Sequence, residues 1–123
     1  MKVLNLMAHH PASEVFANSL AAPGQPGVLE GLGFGYEHVR RERPSIVYAS
    51  ITGYGQTGPR AMAAGHDINY LGYAGVLDQT GVRGGPPALS NLQIADLLGG
   101  AMTAAVAILA ALVGARATGR GRH

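Results

Sequence analysis

The stretch Ser45-Ile46-Val47-Tyr48-Ala49-Ser50-Ile51 decides the fold of this 123-residue chain. It is rich in β-branched and apolar residues and is closed by a glycine, a pattern typical of a buried strand. Residues 36–42, just before it, predict a short helix that ends before a proline. Glu37 and Arg41 lie one turn apart on its exposed face. A helix followed by a buried strand is an αβ unit, and we therefore predict an α/β fold.

The residues after this strand carry the chemistry. Ligands of open α/β sheets bind at the carboxyl ends of strands, where residues 52–58 form a glycine-rich turn. The motif Gly65-His66-Asp67-Ile68-Asn69-Tyr70 follows it. Residues 67–77 predict a helix with Ile68 and Leu71 facing inward. Because histidine and aspartate exchange protons readily near neutral pH, we select His66 and Asp96 as candidate catalytic residues.

Asp96 stands directly before a long uncharged run, residues 97–115. We predict a helix over residues 97–116 with Asp96 as its N-cap, and with N–H groups free to attract negative charge. The run approaches the length that spans a bilayer, although alanine and glycine dominate it. We favour a buried core helix and expect no membrane, and keep as an alternative a non-enzymatic membrane or interaction protein built on helix 97–115.

Composition limits the other classes of function. The chain has no cysteine, which excludes disulfides and thiolate metal sites and suits the cytoplasm. A net charge of +2 without a basic face gives no support for nucleic-acid binding. His9 and His10 have no third ligand nearby, so we predict no metal site. Residues 1–22 remain unplaced apart from a possible strand over residues 2–6, and residues 23–27 predict a turn-rich linker.

Three motifs in order resemble the family III (CaiB/BaiF-type) CoA-transferases, in particular their α-methylacyl-CoA racemase branch. They are Tyr54-Gly55-Gln56-Thr57-Gly58-Pro59-Arg60, then the His66 motif, then Ala95-Asp96-Leu97-Leu98-Gly99-Gly100. The similarity runs from about Pro26 to Gly121. It implies that residues 23–123 are part of a Rossmann-like family III domain, with an αβ unit, glycine-rich loops and a long apolar helix, truncated at both ends.

The resemblance also implies a reaction, racemisation of 2-methyl-branched acyl-CoA thioesters through an enolate. His66 and Asp96 would exchange the α-proton from opposite faces, with Asp67 in support. Further roles implied are substrate binding by Gly65, Asn69 and Tyr70 and enolate stabilisation by the N–H groups of Leu97 and Leu98. CoA enters as part of the substrate, and no separate cofactor is implied.

Within the same family, the alternative is CoA transfer to a carboxylic acid with Asp96 as nucleophile. The family's Arg-Pro-Gly appears here as Gln25-Pro26-Gly27, and a basic residue is replaced near Gly31, so positive charge for CoA phosphates is reduced. Family members form interlocked dimers and have a second domain with a glutamate partner for the histidine. We therefore expect a homodimer or a complementing chain, and no activity from this chain alone.

Overall fold

The computed structural model describes residues 15–18 and 26–123, and the description below is confined to them. These residues form two short strands and four α-helices, with one 3₁₀ turn and one π-helical segment. In chain order they are β1 (Val15–Asn18), α1 (Val28–Gly31), α2 (Tyr36–Glu42), β2 (Val47–Ser50), α3 (Asp67–Tyr73), the 3₁₀ turn (Leu77–Gln79), the π-helical segment (Ala95–Met102) and α4 (Thr103–Thr118).

The sheet is parallel and centres on β2. β1 pairs with β2 in parallel, from Val15 opposite Val47 to Asn18 opposite Ser50. Val47 also forms a parallel bridge with Arg122, after α4 has returned along β2. The connections between parallel strands run through helices, as parallel pairing requires. The αβ unit and its strand are confirmed, although the strand is shorter than the predicted residues 45–51.

The core lies where β2 meets α4 and the loop before α2. Ile46, Val47 and Tyr48 are at most 4% exposed, and Ala115 of α4 is 1% exposed. The Tyr48 hydroxyl donates to the carbonyl oxygen of Phe34 at 3.0 Å, which satisfies its buried polar atom. Burial, and then the nearby negative charge of Glu30, raise the pKa of Tyr48.

Helix α2 has the predicted bounds, residues 36–42, but its charge pairing differs from the prediction. Glu37 pairs with Arg40 at 3.0 Å, one residue earlier than predicted, while the Arg41 side chain donates to the backbone oxygen of Glu37. Both partners of the ion pair are more than half exposed, so the pair adds at most about 1 kcal/mol.

Helix α3 is shorter than predicted, because it ends at Tyr73 and Gly75 follows with φ of 75°. Leu71 is buried as predicted. The inward prediction for Ile68 is wrong, since this side chain is 46% exposed. α3 contacts the 3₁₀ turn and the π-helical segment, and that second contact is the one that positions the site.

The long apolar helix is present but begins earlier than predicted, at Ala95, with a π-helical first part and Ile94 as N-cap. Asp96 therefore lies in the first turn and is not the N-cap. The prediction of a buried core helix is also wrong for this chain, because Ala115 is the buried residue of α4 and Val106, Leu109 and Val113 are at least 60% exposed.

Over Ala95–Thr118 this helix has 24 residues and a mean hydropathy of 2.2, so length and composition suffice to cross a membrane. An apolar core helix of a soluble protein can have the same length and composition.

Several predictions for the first 25 residues fall outside the described residues. They are the strand over residues 2–6, the adjacent His9 and His10, and the linker as far as Gln25. Strand β1 lies within the segment that the sequence left unplaced. Its four residues, Val15 to Asn18, show no alternation that would have indicated a strand before its partner was known.

Candidate active site

His66 begins helix α3 as its N-cap, with extended backbone at φ −134° and ψ 177°. Its N–H donates to Oδ1 of Asn69 at 3.0 Å, and the Asn69 N–H donates back to the carbonyl oxygen of His66 at 2.9 Å. This reciprocal pair fixes the backbone of His66 at the helix start. The His66 side chain is exposed, so a ligand can reach it. Asn69, predicted to bind substrate, thus has a backbone partner.

Tyr70 and Tyr54 enclose Gly65, the residue before the histidine. The Tyr70 hydroxyl donates to the carbonyl oxygen of Gly65 at 2.7 Å, and the two tyrosine rings meet edge to face at 5.2 Å. A Cβ atom on Gly65 would lie 2.7 Å from the Tyr54 hydroxyl oxygen and 2.8 Å from the Tyr70 ring. The space beside Gly65, which we predicted to bind substrate, is filled by these two side chains.

Asp67 joins the two halves of the site. Its Oδ1 atom accepts a hydrogen bond from the backbone N–H of Asp96 at 2.9 Å, across 29 positions of sequence. Both residues are half-buried. A carboxylate at a helix N-terminus satisfies an N–H group that has no partner inside the helix and is stabilised by the helix dipole. The His66 turn and the Asp96 turn are therefore in direct contact.

The helix start offers fewer free donors than predicted. The N–H of Leu97 donates to the carbonyl oxygen of Gln93 at 2.9 Å, because the helix begins upstream of Asp96. In this arrangement Leu97 has no free N–H for an enolate oxygen, which corrects the prediction for that residue. Leu98 lies in the same π-helical segment with a half-exposed side chain, and its role stays a prediction.

The pKa of Tyr70 is raised above its ordinary value. Burial raises the pKa of Tyr70 first, and the negative charges of Asp96 and of ionised Tyr54 raise it further. Tyr54 was quoted in a motif but given no site role, and its glycine-rich surroundings gave no signal that its ring would contact Gly65.

Arg60, from the first motif, is a second residue without a predicted role. Its guanidinium lies over the ring of Tyr73, 3.7 Å from the ring centroid. Tyr73 in turn meets Tyr54 at 5.8 Å, ring edge to ring face. Stacking on an aromatic ring restrains the arginine side chain while leaving its charge in solvent. The loop after β2 thus holds the positive charge of Arg60 against Tyr73, which in turn contacts Tyr54.

Metal-binding groups and cavities were also compared with the position of this site. Within residues 15–18 and 26–123 there is no group of three side chains able to hold a metal ion. A cavity of about 350 Å³ lies between β2 and α4, with Arg122 and His123 at its edge. His66 and Asp96 do not line that cavity.

The described residues have mixed helix and strand content, and a carboxylate-to-backbone hydrogen bond joins the helix start that follows the capping histidine to the helix start that contains Asp96. The family model described as CoA-transferase family III matches residues 13–123. The chain belongs to this family.

Known relatives include both racemases and transferases. The chain is 41% identical over 103 residues to α-methylacyl-CoA racemase of Homo sapiens, covering 84% of this chain and 27% of that protein. It is 37% identical over 108 residues to acetyl-CoA:oxalate CoA-transferase of Acetobacter aceti, covering 87% and 28%. The crystal structure of a CAIB/BAIF family protein from Brucella suis has 32% identity and a TM-score of 0.75, covering 91% and 28%. The chain thus spans about a quarter of these relatives.

Proposed function

We propose that this chain carries the His66 and Asp96 part of an active site that racemises 2-methyl-branched acyl-CoA thioesters. One observation carries the proposal: the Asp67 carboxylate binds the N–H of Asp96, so the segment holding the histidine and the segment holding the aspartate meet. The family relationship supports the substrate class, since one relative is named as a racemase of α-methylacyl-CoA.

In the proposed reaction, one of the two side chains removes the proton from the carbon α to the thioester carbonyl. The electron pair of the broken C–H bond moves into the carbonyl and gives an enolate. The other side chain donates a proton to the opposite face of the same carbon, which inverts its configuration. His66 and Asp96 serve as base and acid in one direction and exchange roles in the reverse direction. The enolate oxygen needs fixed N–H donors.

CoA transfer is the second candidate function. A relative of similar identity is named as an acetyl-CoA:oxalate CoA-transferase. In that reaction the Asp96 carboxylate would attack the thioester carbonyl, release the CoA thiolate and form a mixed anhydride. The thiolate would then attack the Asp96 carbonyl of the anhydride, which releases the donor carboxylate and leaves an aspartyl-CoA thioester. An acceptor carboxylate would follow the same steps in reverse, leaving as the new acyl-CoA and regenerating the Asp96 carboxylate. His66 would have no obligatory part in this chemistry. The two candidates therefore differ in whether the α-proton exchanges with solvent.

We extend the proposal to the setting of the reaction. The two strands and their helices would form part of a Rossmann-like domain. CoA would enter only as part of the substrate, with no separate cofactor, and the reaction would take place in the cytoplasm. A second copy, or a complementing chain, would complete the site, because the helix over Ala95–Thr118 leaves a large apolar surface uncovered.

The test uses two proteins, the 123-residue chain and a carrier. In the carrier, the matched segment of the human racemase is replaced by the corresponding residues of this chain. Each is incubated in D₂O with each enantiomer of a 2-methylacyl-CoA. We expect deuterium at the α-carbon in the carrier and little or none with the chain alone. A carrier that incorporates no deuterium at the α-carbon but transfers CoA to added oxalate would refute the racemase proposal and support the transferase.

Variants of the carrier assign the two bases. His66→Ala and Asp96→Asn should each abolish racemisation, since inversion needs a donor and an acceptor in one cycle. Each variant should still exchange the α-proton of one enantiomer, and the two variants should prefer opposite enantiomers. His38→Ala, on the exposed face of α2, and Asp78→Asn are the matched controls and should behave as the unmodified carrier. Equal loss for both enantiomers in both variants, with folding intact, would contradict the two-base assignment.

A further inference from the structure

We propose that Asp67 is a positioning residue for Asp96, and that its carboxylate fixes the first helical turn that carries Asp96 against the His66 turn. The inference rests on the proposed function, in which His66 and Asp96 are the two proton-exchanging groups. It goes beyond the motif itself, because residue spacing alone does not say that the aspartate next to the histidine reaches a helix 29 residues away.

The contact is built from two helix starts. Asp67 is the first residue of α3 and follows His66 directly, so its backbone moves with the histidine. Its Oδ1 atom lies 2.9 Å from the backbone nitrogen of Asp96, within the range of charge-assisted hydrogen bonds. Asp96 lies in the first turn of the π-helical segment. Any displacement of that turn relative to His66 must stretch or break this bond.

The chemistry of the side chain fits this role. The first N–H groups of a helix have no partner within the helix, and a negative group there is favoured by the dipole. A carboxylate in the first turn of α3 complements its own helix as well. One side chain therefore satisfies an N–H group at the start of one helix and complements the dipole of another, its own. An asparagine at position 67 would keep an oxygen acceptor but would lose the charge.

Positioning of this kind should be visible in turnover more than in binding. Reactions that need two groups on opposite faces of one carbon tolerate little misplacement, and an error of about 1 Å can cost roughly 10²-fold in rate. The binding of CoA does not depend on the same alignment. We therefore expect Asp67→Ala to lower kcat by roughly 10- to 100-fold with a much smaller change in KM.

The first arm of the test needs no activity. Amide hydrogen exchange of Asp96 is measured by NMR in the ¹⁵N-labelled 123-residue chain. Loss of a hydrogen bond to a charged acceptor should speed exchange in Asp67→Ala by about 10- to 150-fold. Asp67→Asn should exchange faster than the parent but more slowly than Asp67→Ala, because its neutral oxygen accepts a weaker hydrogen bond, and Asp78→Ala, an exposed acidic control, should not change the exchange rate. Unchanged exchange in Asp67→Ala would overturn the proposal, as would an asparagine variant that behaves like the alanine variant.

The second arm measures kcat and KM in the carrier with the same three variants. Lower kcat in Asp67→Ala, rescued by Asp67→Asn, is the expected result. Faster amide exchange combined with unchanged kcat would show that the bond supports only the fold and would overturn the positioning role. If the unmodified carrier has no racemase activity, the proposed function fails, and the amide arm still decides whether Asp67 holds the Asp96 turn.

Discussion

Replacing Gly65 by alanine tests how tightly Tyr54 and Tyr70 pack against the residue before His66. The added Cβ atom would lie 2.7 Å from the Tyr54 hydroxyl oxygen and 2.8 Å from Cε1 of Tyr70, closer than ordinary carbon contacts. Tyr70 cannot withdraw freely, because its hydroxyl is bonded to the carbonyl oxygen of Gly65. At least one ring must therefore shift by several tenths of an ångström.

The expected cost follows from these contacts. Overpacking in a well-packed site destabilises by about 1–3 kcal/mol. Replacing glycine also reduces the conformational entropy of the unfolded chain, which stabilises the folded state by about 0.4–1 kcal/mol. We expect Gly65→Ala to lower the free energy of unfolding by about 1–2 kcal/mol, measured by urea denaturation and circular dichroism. Adding Tyr54→Ala should remove part of this loss, since the nearest obstructing atom belongs to that ring.

A matched control lies in α4. A Cβ atom on Gly114 would meet nothing within 4 Å, so Gly114→Ala should stabilise the chain by up to about 1 kcal/mol through helix propensity. If Gly65→Ala is as stable as the parent while Gly114→Ala is more stable, the packing argument at Gly65 is refuted.

Four further predictions concern other parts of the chain. Gly121→Ala should cost more than 2 kcal/mol, because its Cβ would overlap the backbone carbonyl of Ile46, which cannot rotate away; denaturation checks this. The raised pKa of Tyr48 means that the free energy of unfolding should fall as pH rises above about 10, less steeply in Tyr48→Phe. Asp96→Asn should change stability by less than about 0.5 kcal/mol, since Asp96 is not the N-cap. Carbonate extraction should release the chain from membranes; retention in the pellet would favour the helix Ala95–Thr118 as a spanning segment.

Sequence patterns predicted the parts of the fold that depend on local composition. The buried strand was recognisable because residues 45–51 are apolar and β-branched, and β2 lies within them. Helix α2 was recognisable because a proline follows it. Strand β1 was not, because four residues gain their strand character from pairing with β2 rather than from their own alternation. The inward prediction for Ile68 failed because α3 packs through Leu71.

In the candidate site, too, local sequence predicted the residues but not their tertiary contacts. The residue types and the motif order were enough to select His66, Asp67 and Asp96. The helix containing Asp96 was expected to cap itself locally, which is the usual role of an aspartate before an apolar run. Instead the helix starts at Ala95 and a side chain from α3 satisfies the Asp96 N–H. Capping by a residue 29 positions away is a tertiary contact, and no local pattern encodes it.

The position of Asp96 in the helix affects whether its carboxylate is available to a substrate. If Asp96 were the cap, its carboxylate would be bound to its own helix and less available to a substrate. Because the helix begins at Ala95 with Ile94 as its N-cap, the Asp96 carboxylate is not needed as a cap. An aspartate that contributes little to stability yet is required for turnover is the signature expected of a catalytic group. A stability change in Asp96→Asn as large as that in Asp67→Ala would show that both carboxylates act on the fold.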